Sequence, residues 1–145
     1  MGLVNAVASP VDPTVIDRFS GDSNFRMTIP VAEYYISQSV AGKGNWFLER
    51  LDQLSGEGLY YYLGYFSEYF TRFPEEGKIE AVKELLILME KDSKNFLRMG
   101  AFQALLGFAD DESVVEKIDE VAAMEKDPQL KNYYNYFLEA FKEEN

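Results

Sequence analysis

Hydrophobic residues recur at helical spacing along nearly the whole chain. The clearest example is a stretch in the middle of the sequence in which apolar side chains follow a 3.6-residue period: Ile79, Val82, Leu85, Leu86 and Met89. No segment shows the strict alternation of apolar and polar residues that is typical of a half-buried strand. The pattern therefore predicts an all-α protein.

Turn and capping residues divide this pattern into eight predicted helices. Their expected ranges are 12–20, 28–41, 45–54, 58–72, 78–90, 94–108, 112–124 and 128–142. Two of them open with an Asp-Pro pair, which suits an N-cap followed by the first helical residue. We expect Thr28, Asn45 and either Asp110 or Asp111 to cap others, and Gly56 to end the helix before it. The predicted buried residues are Phe66, Phe96, Ala101, Leu105 and Val121.

A repeat gives a more specific prediction. The tetrapeptide at 89–92, Met-Glu-Lys-Asp, recurs at 124–127, 35 residues later, and the eight helices fall into four pairs at about this period. Paired helices at this period are typical of α-solenoids, in which each hairpin buries its apolar face by stacking on its neighbours. We therefore predict a single domain, residues 1–145, built as a right-handed HEAT/ARM-like α-solenoid of about four helical hairpins. The alternative is an irregular all-α bundle with coincidental spacing.

The turn residues favour a HEAT-type unit. Such a unit has an Asp in the turn between its helices and an apolar-Arg pair early in the second helix, and Asp92 followed by Leu97-Arg98 fits this pattern. Asp127 with Leu130-Lys131 is a weaker copy. We expect Asp92 to cap the helix that follows it. We also expect Asp92, Arg98 and Asp127 to form a structural ladder between adjacent turns, in which Arg98 bridges to Asp127. In the alternative interpretation, Asp92 only caps a helix and Arg98 is only a solvated charge.

Composition excludes several classes of function. The 145 residues include no cysteine and no histidine, so no Ser-His-Asp triad, Cys-His pair or His-ligated zinc can form within this chain. The 25 acidic and 14 basic side chains give a net charge of −11, which argues against nucleic-acid binding. Apolar stretches are interrupted far short of the roughly 20 residues of a membrane span, so no membrane insertion is expected. The lack of cysteine leaves the cellular compartment open.

Two runs of sequence resemble a known family. Residues 54–70, LSGEGLYYYLGYFSEYF, and residues 88–105, LMEKDSKNFLRMGAFQAL, resemble the C-terminal helical region of aminopeptidase N-type zinc metallopeptidases, the gluzincin aminopeptidases. The similarity extends more loosely from Phe19 to Phe141. It implies a non-catalytic HEAT-like domain that helps to enclose the peptide-binding cavity of a parent enzyme that removes N-terminal residues from peptides.

The same resemblance implies where the chemistry lies. The family's His-Glu-x-x-His helix, its distal Glu ligand and its Gly-x-Met-Glu-Asn segment are all missing here. We therefore expect no catalytic, metal-binding or cofactor-binding residue in this chain, and zinc in the catalytic domain of the parent. The expected partners are that catalytic domain and the peptide substrate, and a secreted or periplasmic parent is compatible with this assignment.

The first residues suggest an excised fragment. Apolar residues begin at position 3 without a preceding cap, and we expect Leu3, Val4 and Val7 to form the edge that packs against the missing chain. The main alternative is a free-standing HEAT-like scaffold for protein–protein interactions. A third hypothesis, an enzyme in its own right, lacks candidate residues. A His-Glu-x-x-His segment upstream would decide between the first two.

Overall fold

The computed structural model describes residues 25–144, and the side chains of residues 28–142. Seven α-helices and two short 3-10 helices make up this range, which contains no strand. The α-helices are α1 (Phe25–Ser37), α2 (Gly44–Gln53), α3 (Gly56–Arg72), α4 (Lys78–Lys91), α5 (Asn95–Leu105), α6 (Glu112–Ala123) and α7 (Pro128–Glu144). The all-α prediction is confirmed. The predicted helix 12–20 and the edge residues Leu3, Val4 and Val7 lie outside the described residues.

The chain divides into two compact units, with the boundary between Lys78 and Ile79. In the first unit, α1 and α2 both pack against α3. The face of α3 toward them carries buried aromatic and aliphatic side chains at helical spacing, which are Leu59, Tyr62, Leu63, Phe66, Tyr69 and Phe70. The ring of Phe47 from α2 stacks on Tyr69, with centroids 4.2 Å apart. An aromatic core of this kind removes a large apolar area from water.

In the second unit, α5 contacts α6 and α7, and α6 also packs against α7. Phe102 of α5 lies against Tyr134 of α7, with ring centroids 4.5 Å apart, and both side chains are fully buried. Ala101 and Leu105 are buried in this unit, as is Phe66 in the first, which confirms three predicted core positions.

Two predicted core residues are not buried. Phe96 is 38% exposed because it lies in the first turn of α5, one position before the buried Leu97. Val121 is half-buried beside a groove described below. The helix predicted over 94–108 also ends earlier, since its last turn tightens into a 3-10 helix at Leu106–Phe108.

Four predicted helix boundaries are wrong. α1 begins at Phe25, so Thr28 is a fully buried residue inside the helix, and it ends at Ser37, because Ser39 turns the chain with a φ of 51°. α2 begins at Gly44 rather than after an Asn45 cap. Gly56 does not end α2 but begins α3, with a φ of 57°.

Candidate functional site

The predicted ladder residues come together in the second unit, around Arg98. The Nε and Nη2 atoms of Arg98 donate hydrogen bonds to the two carboxylate oxygens of Glu125, each at 2.9 Å. The side chains are only 14% and 4% exposed, respectively. A bidentate pair of this kind is the strongest geometry available to an Arg and a carboxylate. The acidic partner of Arg98 is thus Glu125, and the predicted bridge to Asp127 is wrong.

Asp92 and Asp127 have different roles in their turns. The carboxylate of Asp127 accepts hydrogen bonds from the main-chain N–H groups of Gln129 and Leu130, which is the N-cap arrangement predicted for α7. Asp92 does not cap α5. Its carboxylate accepts from the N–H of Lys94, the residue that occupies the N-cap position, and its main-chain carbonyl accepts from Nη1 of Arg98 at 2.8 Å.

Asn95 connects the two turns. Its side-chain oxygen accepts from Nη2 of Arg98 at 2.7 Å, and its side-chain amide donates to the carboxylate of Asp127. The N–H of Asp127 donates to Glu125 at 3.1 Å. We call these five residues, Asp92, Asn95, Arg98, Glu125 and Asp127, the turn network. It ties the α4–α5 turn to the α6–α7 turn.

Electrostatics keep the charged pair of the turn network ionised. Burial alone would raise the pKa of the Glu125 carboxyl, but the hydrogen bonds from Arg98 and from the Asp127 N–H lower it below its ordinary value. The hydrogen bonds to Glu125 raise the pKa of the Arg98 guanidinium against the opposing effect of burial. All three guanidinium nitrogens are engaged with protein groups. The arrangement therefore fastens two turns together and holds no group poised for acid–base chemistry.

Sequence reasoning missed Asn95 and Glu125. The signal for Glu125 was present in the repeated tetrapeptide, where it occupies the second position, but only the Asp at the fourth position was singled out. The corresponding residue of the first copy, Glu90, is exposed on α4. The two copies of the motif therefore have different roles, because Arg98 pairs with the glutamate of the second copy.

A second polar cluster lies in the first unit around Glu76. Its carboxylate accepts hydrogen bonds from the N–H groups of Gly42 and Gly44, at 2.8 and 2.9 Å, and from the hydroxyl of Tyr69 at 2.9 Å. Burial would raise the pKa of this carboxyl, but these hydrogen bonds lower it. We call Glu76, Tyr69 and the 42–44 loop the Glu76 cluster. It supplies acceptors for the N-terminal end of α2, which no local side chain caps.

Neither cluster resembles a metal centre. Among the described residues, no group of three or more Asp or Glu side chains is placed to hold a metal ion. Within residues 25–144, no helix is long and apolar enough to cross a membrane.

Comparison with known proteins assigns no family to the chain. No protein-family model, curated protein or solved structure matches it. The resemblance to zinc aminopeptidases rests on the two runs 54–70 and 88–105, the first of which lies in and just before α3 and the second of which spans the α4–α5 turn.

Proposed function

We propose that this chain is a non-catalytic α-solenoid domain of a zinc aminopeptidase, and that it helps to enclose the peptide-binding cavity of that enzyme. The observation that carries the proposal is the turn network. Three of its residues, Asp92, Asn95 and Arg98, lie within the second family-like run. Their bonds to Glu125 and Asp127 join the turns of two successive helix pairs, as a HEAT-type repeat requires.

The link between turns supports a stacked-repeat architecture. In a solenoid each hairpin contacts mainly its neighbours, so the contacts that set one hairpin on the next determine the whole array. Arg98 comes from α5, and Glu125 lies in the turn between α6 and α7. The bond therefore passes from one helix pair to the next, at equivalent turns separated by the repeat period.

A domain of this kind contributes to catalysis through geometry. The zinc and the catalytic residues belong to the catalytic domain of the parent. A rigid helical surface across the cleft holds the peptide in position and limits access of water, and neither effect requires a catalytic group. A peptide long enough to contact this surface is therefore cleaved more efficiently because of it, whereas cleavage of a single amino-acid amide is unaffected.

A second candidate is a free-standing scaffold for protein–protein interactions. The observation that favours it is the exposure of apolar side chains on the second unit, where Ile79 is 87% and Met124 is 54% exposed. A cluster of large apolar side chains exposed to solvent is typical of a protein-binding surface.

The test compares the longer polypeptide with a form that lacks residues 1–145, if the reading frame upstream encodes a His-Glu-x-x-His segment. We expect the truncated enzyme to retain zinc and to cleave a chromogenic amino-acid amide normally, but to change its kcat/KM and length preference across a series of peptides. Unchanged kinetics for all peptides, with a folded and zinc-loaded truncation, would contradict the proposal. An upstream sequence without zinc-binding residues would favour the scaffold.

A further inference from the structure

A groove runs between α4 and α6 in the second unit. Its larger part has a volume of about 320 Å³ and lies between the two helices. A second part of about 210 Å³ continues it past Glu90 and Val121 toward Met124. We call the two parts together the α4–α6 groove.

The groove is apolar at its centre. On α4, a single helical stripe lines it with Ile79, Val82 and Leu86, and Ile87 lies at its side. On α6, Val121 faces these residues, and Met124 lies three residues on, just past the end of the helix. Ile79, Ile87 and Met124 are 87%, 40% and 54% exposed, so much of this apolar surface is in water.

The rim of the groove is basic, although the surrounding unit is acidic. Residues 79–145 contain 8 basic and 15 acidic side chains, a net charge of −7. Three exposed lysines nevertheless line the groove, Lys83, Lys117 and Lys126, against one unpaired acid, Glu90. Within the described part of the chain, none of the three lysines forms an ion pair or a hydrogen bond through its side chain. Glu125 also lines the groove, but it is paired with Arg98.

We propose that the α4–α6 groove binds an amphipathic helix of another protein segment, one with an apolar stripe flanked by carboxylates. Two parallel ridges of helical side chains accept a third helix, whose residues at i, i+4 and i+7 enter the apolar centre. Carboxylates on both sides of that stripe pair with Lys83 and Lys117 on opposite rims. The groove spans α4 from Ile79 to Glu90, a length of about 16 Å that fits about three helical turns.

Charge selects this occupant over a basic helix. A basic segment would be attracted by the net charge of the unit but would place its cations against the lysines of the rim. Electrostatic complementarity sets partner choice and association rate at such surfaces. The inference stands on the groove alone and does not depend on the aminopeptidase proposal, because a parent enzyme and a separate protein can both supply such a helix.

Binding of a synthetic peptide tests the inference. The probe is a fluorescently labelled peptide of about 16 residues, with leucines along one helical face and glutamates beside them. One control peptide has the same composition in scrambled order, and another has lysines in place of the glutamates. We expect saturable binding of the acidic amphipathic peptide to the whole chain, measured by fluorescence anisotropy, and much weaker binding of both controls.

Variants locate the binding site. The double substitution Ile79→Asp and Ile87→Asp should weaken binding about tenfold or more, since both side chains belong to the apolar contact. Lys83→Glu with Lys117→Glu should weaken binding of the acidic peptide similarly and improve binding of the lysine peptide. Matched controls at exposed positions outside the groove, Tyr136→Asp and Lys94→Glu, should bind like the wild type. Circular dichroism checks that each variant is folded. If Lys83→Glu with Lys117→Glu does not fold, the milder pair Lys83→Gln with Lys117→Gln takes its place.

Three results would overturn the inference. The first is equal binding of the scrambled peptide, and the second is binding that the groove variants leave unchanged. The third is a concentration-dependent dimer of the wild type that Ile79→Asp abolishes, which would assign the face to contacts between copies of this chain. The aminopeptidase proposal is tested separately by peptide kinetics, so each can fail alone.

Discussion

Arg98 and Glu125 form a charged pair that is largely removed from water. Removing two charges from water costs several kcal/mol for each ion, and good geometry with additional hydrogen bonds must offset that cost. Glu125 receives both hydrogen bonds of the bidentate pair and a third from the N–H of Asp127. The pair therefore gives little net stability over apolar side chains, but losing one partner leaves a buried charge uncompensated.

We expect Arg98→Ala to lower the free energy of unfolding by about 3 kcal/mol, because Glu125 would remain buried without its cation. Lys142→Ala is the matched control. It removes an ion pair with Asp119 of similar length, 2.8 Å, whose side chains are 55% and 43% exposed, and should cost less than about 1 kcal/mol. Urea denaturation of both variants measures the difference. Equal losses would show that the turn network does not fasten the two turns.

Glu76 gives a prediction for pH dependence. Its pKa is lowered in the folded chain, so its contribution is present above the pKa of the unfolded carboxyl and is lost as pH falls through the lower, folded value. Glu76→Gln should cost about 1–2 kcal/mol at neutral pH, and its stability should then fall less steeply than that of the wild type below about pH 5. Fluorescence of Trp46, the single tryptophan, reports on the same unit. Parallel pH curves for the two proteins would contradict this role.

At the scale of elements, alanine substitutions at two glycines distinguish the effect of helix propensity on stability from the effect of close packing. A Cβ on Gly44 would lie 2.5 Å from the main-chain oxygen of Glu76, whereas a Cβ on Gly64, inside α3, would meet nothing within 4 Å. We expect Gly64→Ala to stabilise the chain by about 0.5–1 kcal/mol, since alanine favours the helix. Gly44→Ala should destabilise it, because the backbone or Glu76 must shift. Thermal unfolding of the two variants should move in opposite directions, and a stabilising Gly44→Ala would contradict the Glu76 cluster.

The helix boundaries that the sequence predicts correctly are those with a capping residue next to them in the chain. The predicted range 112–124 became Glu112–Ala123, where Asp111 accepts from the N–H of Ser113, and the Asp-Pro pair at 127–128 opens α7. The start of α2 could not be predicted in this way. Its acceptors come from Glu76, more than 30 residues along the chain. A local pattern contains no information about such a partner.

The turn network shows the same limit at the candidate site. Asp92, Arg98 and Asp127, which the sequence pattern singles out, lie in two turns that hydrogen bonds join through Asn95. Which acid meets the guanidinium depends on side-chain directions after packing, and Glu125 rather than Asp127 points at Arg98. The predicted burial of Phe96 was wrong for a related reason. The sequence of α5 is apolar around most of the helix, so it does not indicate which side chains face the core.

At the scale of the whole molecule, the dominant property is an excess of negative charge. The net charge is −11, and the acidic groups are concentrated in residues 79–145. Along α6, three exposed glutamates follow one another at four-residue spacing, Glu112, Glu116 and Glu120. Like charges at this spacing destabilise a helix by a few tenths of a kcal/mol per pair, and a large net charge opposes the compact state through self-repulsion.

We therefore expect added salt to stabilise this protein. Raising NaCl from about 10 mM to about 200 mM shortens the screening length from about 30 Å to below 10 Å, which weakens repulsion among the surplus carboxylates. The same salt weakens the exposed Lys142–Asp119 pair, but an exposed pair of this kind contributes only about 1 kcal/mol or less. The melting temperature should rise by about 3 °C.

Glu116→Gln provides the matched variant for this salt effect, because it removes the central charge of the α6 series without touching the buried face. It should raise stability at low salt by about 0.5 kcal/mol, through the loss of two repulsive pairs, and should reduce the gain that salt produces. Differential scanning calorimetry at the two salt concentrations measures both effects. A melting temperature that falls with salt, or a variant that is less stable than the wild type at low salt, would show that attractive pairs outweigh repulsion on this surface.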